Sequence, residues 1–211
     1  MLDVQERLVR EKIVVVVRTD SFEEAQQISE TMIEVGIKMI EVTMTVPEAP
    51  ALIGLLKEKY QADVLVGAGT IATKEDAIAC FNNKADFLVS PYLIDEVAEA
   101  GQALGIPVFS GAMSMKEVAA TQKYQNSLVK IFPANIVGAP FLKAVKSVIP
   151  SVQLMPTGGV NEKNILDWFE AGADCVGIGS DLVRIYRKDG VTGLKVYGQQ
   201  LQEILASAVH D

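Results

Sequence analysis

The chain has 211 residues, a formal net charge of −8 at pH 7, 49% hydrophobic residues and 22% charged residues. These proportions are typical of a globular protein, and the negative charge argues against a nucleic-acid partner or an anionic membrane surface. The length suits a single domain.

The histidine and cysteine content excludes several kinds of site. The one histidine, His210, precedes the last residue and is predicted to be solvated, which rules out a Ser-His-Asp triad and a metal site built from several histidines. Cys80 and Cys175 are far apart and lack metal-ligand spacing, so we expect no metal, no disulfide and a cytoplasmic location. The apolar run 13–17 is much shorter than the roughly 18 residues of a membrane span, and the N-terminus lacks the order of a signal peptide.

Short apolar runs alternate with amphipathic segments along the whole chain. Strands are predicted at 13–18, 39–44, 64–68, 87–90, 107–111, 128–132, 153–156 and 175–178. Helices between them include 22–35, 49–60, 74–82 and 94–104. Ser21 and Glu24 are predicted to form a capping box at the start of the first of these helices.

The predicted order of elements favours an α/β fold with a parallel sheet. The strands are nearly continuous apolar runs, as expected when both faces of a sheet are buried. Eight strand–helix units then predict a single (β/α)8 TIM barrel that spans residues 1–211 as one domain. An open doubly wound sheet is the alternative, although no G-x-G-x-x-G fingerprint follows the first strand.

Polar side chains end the first two strands, where an α/β barrel places its active site. Arg18 closes the first strand and could hold a carboxylate with its planar guanidinium group, or it could lie at the surface. Because side chains alternate between the two faces of a strand, Glu41, Thr43 and Thr45 of the second strand should face the barrel interior.

The third strand ends in the segment 67–70, Gly-Ala-Gly-Thr. Two glycines can let a ligand approach the backbone closely, or they can simply form a turn. Thr70 offers a hydroxyl group at the active-site end of the barrel.

Lys130 is the most informative residue, because it interrupts the apolar sixth strand. Lysine is rarely buried unless it is paired or in use. Desolvation disfavours a charged ammonium group, and a neutral amine can attack a carbonyl to form a Schiff base. Taken alone, a lysine at a strand end is more often solvated or paired with a carboxylate.

The alternation of side chains points Lys130 inward with Phe132, into the same barrel as Glu41. The two charged groups could form a structural salt bridge, but near the open end of a barrel a catalytic pair is the better interpretation. A carboxylate beside the amine would favour the ammonium form. We therefore expect Glu41 to be protonated or separated from the amine by water.

Glycine turns follow the seventh and eighth strands, in the segments 156–159 and 177–180. Barrels commonly bind phosphate after these two strands, with backbone N–H groups and a helix N-terminus. The alternative is a pair of tight turns, and the serine in the second turn favours phosphate.

Together these residues resemble the class I 2-keto-3-deoxy-6-phosphogluconate aldolase family, which includes the 4-hydroxy-2-oxoglutarate aldolases. The matching motifs occur in family order and span nearly the whole chain: EVT at 41–43, GAGT at 67–70, VSP at 89–91, KIFPA at 130–134, PTGG at 156–159 and GS at 179–180. The resemblance implies a homotrimeric, metal-independent (β/α)8 barrel without a cofactor. Its partner would be a small 2-keto acid that forms a covalent Schiff base with lysine.

The resemblance also implies roles for individual residues. Lys130 would form the Schiff base, and Glu41 would be the general acid and base. The pyruvyl pocket would be lined by Thr43, Thr70, Pro91 and Phe132. The phosphate would be held by Gly158, Gly159, Gly179 and Ser180.

The chain departs from the family pattern at three places. The best-known members carry an arginine at the position of Thr45, whereas others carry one at the position of Arg18, so Arg18 is predicted to bind the substrate carboxylate. The fifth strand has Ser110 in place of the proline of the usual Pro-Gly pair but keeps a hydroxyl at Ser114, and Asp181 follows the phosphate motif as in galactonate-type members.

The predicted reaction is reversible aldol cleavage of a 2-keto-4-hydroxy acid. The substrate would be 2-keto-3-deoxy-6-phosphogluconate, giving pyruvate and glyceraldehyde 3-phosphate, and/or 4-hydroxy-2-oxoglutarate, giving pyruvate and glyoxylate. A 2-keto-3-deoxy-6-phosphogalactonate aldolase is the alternative. A sugar-phosphate epimerase or isomerase, and a non-catalytic sugar-phosphate sensor, are more remote ones.

Overall fold

The computed structural model describes residues 3–124 and 128–208 of the chain. Eight parallel strands form one sheet in the order β7-β6-β5-β4-β3-β2-β1-β8, and a bridge between Thr157 and Gly177 joins its two ends. The predicted (β/α)8 barrel is confirmed, and the open doubly wound alternative is wrong. The strands are β1 (Ile13–Val17), β2 (Met39–Thr43), β3 (Leu65–Gly69), β4 (Leu88–Ser90), β5 (Val108–Ala112), β6 (Leu128–Ile131), β7 (Gln153–Pro156) and β8 (Val176–Ile178).

Helices surround the barrel and connect its strands. They are α1 (Val4–Glu11), α2 (Phe22–Glu34), α3 (Ala49–Tyr60), α4 (Lys74–Asn82), α5 (Asp95–Leu104), α6 (Met115–Thr121), α7 (Ala134–Val137), α8 (Ala139–Val148), α9 (Ile165–Glu170) and α10 (Ser180–Ala208). A 3-10 turn, Gln122–Tyr124, follows α6, and Gly190 with φ 63° interrupts α10. Within the described ranges, no helix has the length and apolar character needed to cross a bilayer.

Helix α1 is absent from the sequence-based prediction, and it covers the amino-terminal end of the barrel. Its Leu8 is fully buried and packs with the side chains that fill the barrel interior. These side chains are Val14, Met39, Leu65, Phe87, Val89, Phe109, Leu128, Met155 and Cys175. The amino-terminal part of the barrel is therefore a packed apolar core, and the polar side chains gather at the opposite end.

The capping box predicted for α2 is only half formed. The side chain of Ser21 accepts a hydrogen bond from the backbone N–H of Glu24, as predicted. The carboxylate of Glu24 instead accepts hydrogen bonds from Arg187 of α10, so it ties α2 to the last helix. A complete capping box occurs in α1, between Asp3 and Glu6.

Two matching ion pairs, which we call the Lys–Asp clasps, lie at the amino-terminal ends of strands on opposite sides of the barrel. In one clasp, Asp86 accepts from Nζ of Lys57 at 2.7 Å and from a backbone N–H of β3 at 2.7 Å. In the other, Asp174 accepts from Nζ of Lys146 at 2.8 Å and from a backbone N–H of β7 at 2.7 Å. The two halves of the barrel thus repeat the same local arrangement. His210 lies outside the described residues.

Candidate active site

A cavity of about 540 Å³ opens at the carboxyl ends of the strands. It brings together eight of the residues predicted from the sequence: Arg18, Thr70, Pro91, Lys130, Phe132, Gly158, Gly179 and Ser180. Three further residues line it that were not predicted as site residues: Val16, Thr157 and Val183. Parallel strands end at the same edge, which explains how residues distant in the chain meet here.

Lys130 and Glu41 form a buried contact beneath this cavity. Nζ of Lys130 lies 3.3 Å from Oε1 of Glu41, and the two residues are 4% and 0% exposed. This direct contact contradicts one of the two expected alternatives, the one in which water separates the groups. The second carboxylate oxygen of Glu41, Oε2, is buried and makes no hydrogen bond within the described part of the chain. Glu41 thus keeps one oxygen free for a further proton donor or acceptor.

The orientation of both residues follows from the alternation of side chains along their strands. Val129 and Ile131, on either side of Lys130, are fully buried in the layer between the sheet and the helices. The amine of Lys130 therefore points into the barrel, where it lies 5.3 Å from the centre of the Phe132 ring. A ring at this distance supports a cation or packs against an uncharged amine.

The space for Glu41 is provided by Gly69 on the neighbouring strand. A Cβ atom at Gly69 would lie only 2.0 Å from Oε1 of Glu41. The second glycine of the segment 67–70 therefore leaves the space that the Glu41 side chain occupies, because it has no side chain of its own.

Arg18 reaches the site through hydroxyl groups rather than through carboxylates. Its NH2 donates to Oγ1 of Thr70 at 2.7 Å, and its NH1 donates to Oγ1 of Thr45 at 3.4 Å. Thr45 in turn lies 2.7 Å from Oγ1 of Thr43, which is fully buried. Within the described residues no ion pair links Arg18 to a carboxylate, so its guanidinium group can bind an anionic ligand.

Thr70 has a backbone conformation that is unusual for its type. Its φ of 59° lies in the left-handed region, which a β-branched residue rarely adopts. Such strain is concentrated at functional sites, where the surrounding structure maintains it. The conformation brings the Thr70 hydroxyl group to both Arg18 and the cavity.

The glycine turns after β7 and β8 also border the cavity, and β8 is the direct neighbour of β1, the strand that Arg18 follows. Gly158 and Gly159 have φ values of 100° and 78°, which only glycine adopts readily. Ser180 begins α10, so the positive end of that helix dipole faces the turn formed with Gly179. This arrangement has the features of an anion site.

Three predicted residues do not line the cavity. Glu41 lies below Lys130, and Thr43 lies below Thr45. Gly159 packs against Asn135 of α7, since a Cβ atom at this position would lie 2.8 Å from Cβ of Asn135. Of the lining residues that were missed, Thr157 belongs to the recognised segment 156–159 and could have been identified from that motif.

The described part of the chain shows no cluster of side chains that could bind a metal ion. Residues 3–124 and 128–208 contain no group of three or more histidine, cysteine or acidic side chains arranged to hold a metal ion. The chemistry available at the cavity is that of an amine, a carboxyl group, hydroxyl groups and a guanidinium group.

Comparisons with known proteins show that the chain is similar to aldolases. The family described as "KDPG and KHG aldolase" matches residues 4–192. A 2-dehydro-3-deoxy-phosphogluconate aldolase of Treponema pallidum is 31% identical over 80% of this chain and 80% of the relative. A 2-dehydro-3-deoxy-6-phosphogalactonate aldolase of Escherichia coli is 29% identical over 72% of this chain and 75% of the relative.

A solved structure shows the same fold with a reaction intermediate bound. It is a KDPG aldolase from Legionella pneumophila with pyruvate captured as a covalent carbinolamine. It superposes with a TM-score of 0.79 at 28% identity, over 89% of this chain and 92% of that chain.

Proposed function

The chain belongs to the KDPG and KHG aldolase family, and we propose that Lys130 and Glu41 carry out its class I aldol cleavage. The protein is an aldehyde-lyase that breaks a carbon–carbon bond and releases pyruvate. KDPG is 2-keto-3-deoxy-6-phosphogluconate, and KHG is 4-hydroxy-2-oxoglutarate. The observation that carries the residue assignment is the 3.3 Å contact between a buried amine and a buried carboxyl group below the cavity.

The first half of the reaction joins the substrate to the enzyme. Nζ of Lys130 attacks the C2 ketone to give a carbinolamine, which loses water to become an iminium ion. The iminium carbon can accept the electron pair of the bond that breaks next. Since the covalent bond forms with the protein's own lysine, the reaction needs no metal and no separate cofactor.

The second half breaks the bond between C3 and C4. Glu41, acting through a water molecule, removes the proton of the C4 hydroxyl group. The aldehyde leaves, and the electron pair forms an enamine of pyruvate on Lys130. Protonation at C3 and hydrolysis of the iminium then release pyruvate and restore the free amine. The free oxygen of Glu41, Oε2, supports this proton-transfer role.

The two ends of the substrate are assigned to different groups of residues around the cavity. Arg18 and Thr70 bind the carboxylate next to the ketone, and Pro91, Phe132 and the more deeply placed Thr43 shape the pyruvyl pocket. The phosphate is held by the turns that contain Gly158, Gly159, Gly179 and Ser180. This assignment explains why the only charged side chains that line the cavity, within the described residues, are those of Arg18 and Lys130.

A second candidate substrate is 2-keto-3-deoxy-6-phosphogalactonate, the C4 epimer of KDPG. Asp181 after the phosphate turn favours it, because galactonate-type members of the family share this aspartate. Cleavage of either epimer gives the same products. Initial rates of pyruvate formation with the two epimers and with 4-hydroxy-2-oxoglutarate will identify the preferred substrate. Arg18→Ala should raise the Michaelis constant for that substrate, and an unchanged value would contradict carboxylate binding by Arg18.

We also propose that the single-domain protein is a cytoplasmic homotrimer. Both cysteines are free thiols, as is usual in a reducing compartment. The exposed apolar side chains Tyr92, Met113 and Ile136 follow the neighbouring strands β4, β5 and β6 and supply a surface for association. Light scattering during size-exclusion chromatography measures the number of subunits directly.

The decisive experiment is intact-mass spectrometry after incubation with pyruvate and sodium borohydride. A reduced pyruvate adduct is expected on the wild type and on Lys143→Ala, which changes an exposed lysine of α8, and it should be missing on Lys130→Ala. An adduct that persists on Lys130→Ala would reject Lys130 as the Schiff-base residue. No adduct on the wild type would reject the mechanism and favour an isomerase or a sensor.

A further inference from the structure

Thr45 lies at the mouth of the barrel, between Arg18 and the fully buried Thr43. We infer that Thr45 is a positioning residue that orients the Arg18 guanidinium group for carboxylate binding, through a directed chain of hydroxyl hydrogen bonds. We call this chain the hydroxyl relay; it consists of Arg18, Thr45, Thr43 and the carbonyl group of Val17. The inference rests on the proposed function, because carboxylate binding by Arg18 is part of that function.

The direction of the relay follows from counting hydrogens. A threonine hydroxyl group carries one hydrogen and can accept with its lone pairs. Oγ1 of Thr43 donates its hydrogen to the carbonyl oxygen of Val17 at 3.1 Å. In the 2.7 Å contact between the two threonines, the hydrogen must therefore belong to Thr45. The lone pairs of Thr45 are then left to accept from NH1 of Arg18 at 3.4 Å.

The relay connects the guanidinium group to the backbone of its own strand. Val17 directly precedes Arg18, and Thr43 is fully buried at the end of β2, so the last two members of the relay are fixed by the barrel. Hydrogen bonds that point in one direction along a chain strengthen one another. A long, exposed arginine side chain is thereby tied to a rigid part of the fold.

A second support fixes the plane of the guanidinium group. NH2 of Arg18 donates to Oγ1 of Thr70 at 2.7 Å, while NH1 is held by Thr45. Two supports on two different nitrogen atoms define the plane of the group, and the remaining N–H donors are available to a ligand. Arg18 and Thr70 line the cavity whereas Thr45 does not, so Thr45 acts through Arg18 and not by touching the substrate.

The test compares Thr45→Val, which removes the hydroxyl group at nearly constant volume, with the wild type. The KM for the cleaved 2-keto acid and the pyruvate concentration for half-maximal borohydride labelling should both rise about three- to tenfold, the range expected for one hydrogen bond. The kcat should change less than about twofold, because Thr45 does not contact the reacting atoms. Thr45→Ser should restore the KM, since it restores the hydroxyl group.

A double-mutant cycle separates positioning from a general structural effect. In an Arg18→Ala background, Thr45→Val should raise the KM no further, because the guanidinium group that Thr45 orients is already absent. Thr192→Val, the same exchange at an exposed position of α10, should leave the KM and the labelling unchanged. Thermal unfolding of each variant will show that the folded state is retained.

The outcomes distinguish this inference from the proposed function. A wild type that labels with pyruvate, together with a Thr45→Val variant of unchanged KM, would overturn the inference alone. A full additional effect of Thr45→Val in the Arg18→Ala background would do the same. A wild type that forms no pyruvate adduct would overturn both.

Discussion

Glu41 and Lys130 occupy equivalent positions in the two halves of the barrel, and their side chains meet between them. Glu41 of β2 pairs in register with Gly67 of β3, and Lys130 of β6 pairs with Met155 of β7. Gly67 and Met155 are separated in the chain by the same number of residues as Asp86 and Asp174 of the Lys–Asp clasps. The two pairs of strands therefore repeat with the same spacing. Because β2 and β6 are four strands apart in an eight-stranded barrel, the carboxyl group and the amine approach each other from opposite walls.

Gly69→Ala should displace Glu41 from Lys130. The added Cβ atom would lie 2.0 Å from Oε1 of Glu41, so the carboxyl group must move, while the backbone at this position is not in the left-handed region. We expect kcat to fall at least about a hundredfold, since a misplaced acid–base group loses its contribution. Gly67→Ala is a useful comparison, because its Cβ atom would meet the ring of Phe87 in the apolar interior and should mainly lower Tm.

Glu41→Gln should slow cleavage about 10²- to 10⁴-fold while pyruvate labelling persists. The amide keeps the shape of the side chain but cannot take up the C4 hydroxyl proton. Lys130 is unchanged in this variant, so its amine can still form the Schiff base with pyruvate. Steady-state cleavage rates and borohydride labelling measure the two effects separately. Glu58→Gln, at an exposed position of α3, is the control, and cleavage by Glu41→Gln within tenfold of wild type would contradict the assignment.

Local patterns were sufficient to predict the barrel and the direction of its two charged side chains. Apolar residues on either side of Lys130 and of Glu41 revealed which face each strand turns to the helices, because alternation depends only on the strand itself. Glycine turns after β7 and β8 were also visible in the sequence. Each of these predictions depends on residues that are close together in the chain.

The remaining features depend on residues that meet only in the folded chain. The room that Gly69 leaves for Glu41, and the direct contact between Glu41 and Lys130, result from packing between different strands. Helix α1 is short and mostly polar, and its only fully buried side chain is Leu8, so few apolar residues marked it in the sequence. The left-handed backbone of Thr70 contradicts the preference of its residue type, and no local rule predicts it.

Thr70→Gly should weaken substrate binding without lowering stability. A strained backbone of this kind costs about 1–3 kcal/mol, and glycine relieves it at an entropic cost of about 0.5–1 kcal/mol. We expect the free energy of unfolding to stay the same or rise by about 1 kcal/mol. The KM should rise, because Arg18 loses the hydroxyl group that accepts from its NH2. Urea unfolding and steady-state kinetics measure both, and Thr70→Ser separates them because it keeps the hydroxyl group and the strain. A loss of more than about 1 kcal/mol in Thr70→Gly would argue against strain.

Both cysteines should be unreactive in the native protein at pH 8. Burial, followed by the negative charge of Asp76, raises the pKa of the Cys80 thiol to about 12, and burial also raises the pKa of Cys175. At pH 8 only about one Cys80 in ten thousand is then a thiolate, which is the reactive form. A thiol reagent such as DTNB should label neither residue until denaturant is added. Rapid release of one equivalent from the native protein would contradict the burial of one thiol.

Removal of the two Lys–Asp clasps should lower stability by amounts that add together. Asp86→Ala and Asp174→Ala each remove a carboxylate that accepts from a lysine and from a backbone N–H, so each should cost about 2–3 kcal/mol. The clasps lie in different halves of the barrel and share no partner, so the double variant should lose the sum within about 0.5 kcal/mol.

Urea unfolding of the single variants, the double variant and the exposed-site control Asp63→Ala provides the measurement for the clasps. The kcat of each folded variant should stay near that of the wild type, because the clasps lie at the amino-terminal ends of the strands and the cavity lies at the carboxyl ends. A double variant that loses much less than the sum would mean that the two halves of the barrel are energetically coupled through these ion pairs. Such coupling would show that each clasp stabilises the closed barrel as a whole rather than its own pair of strands.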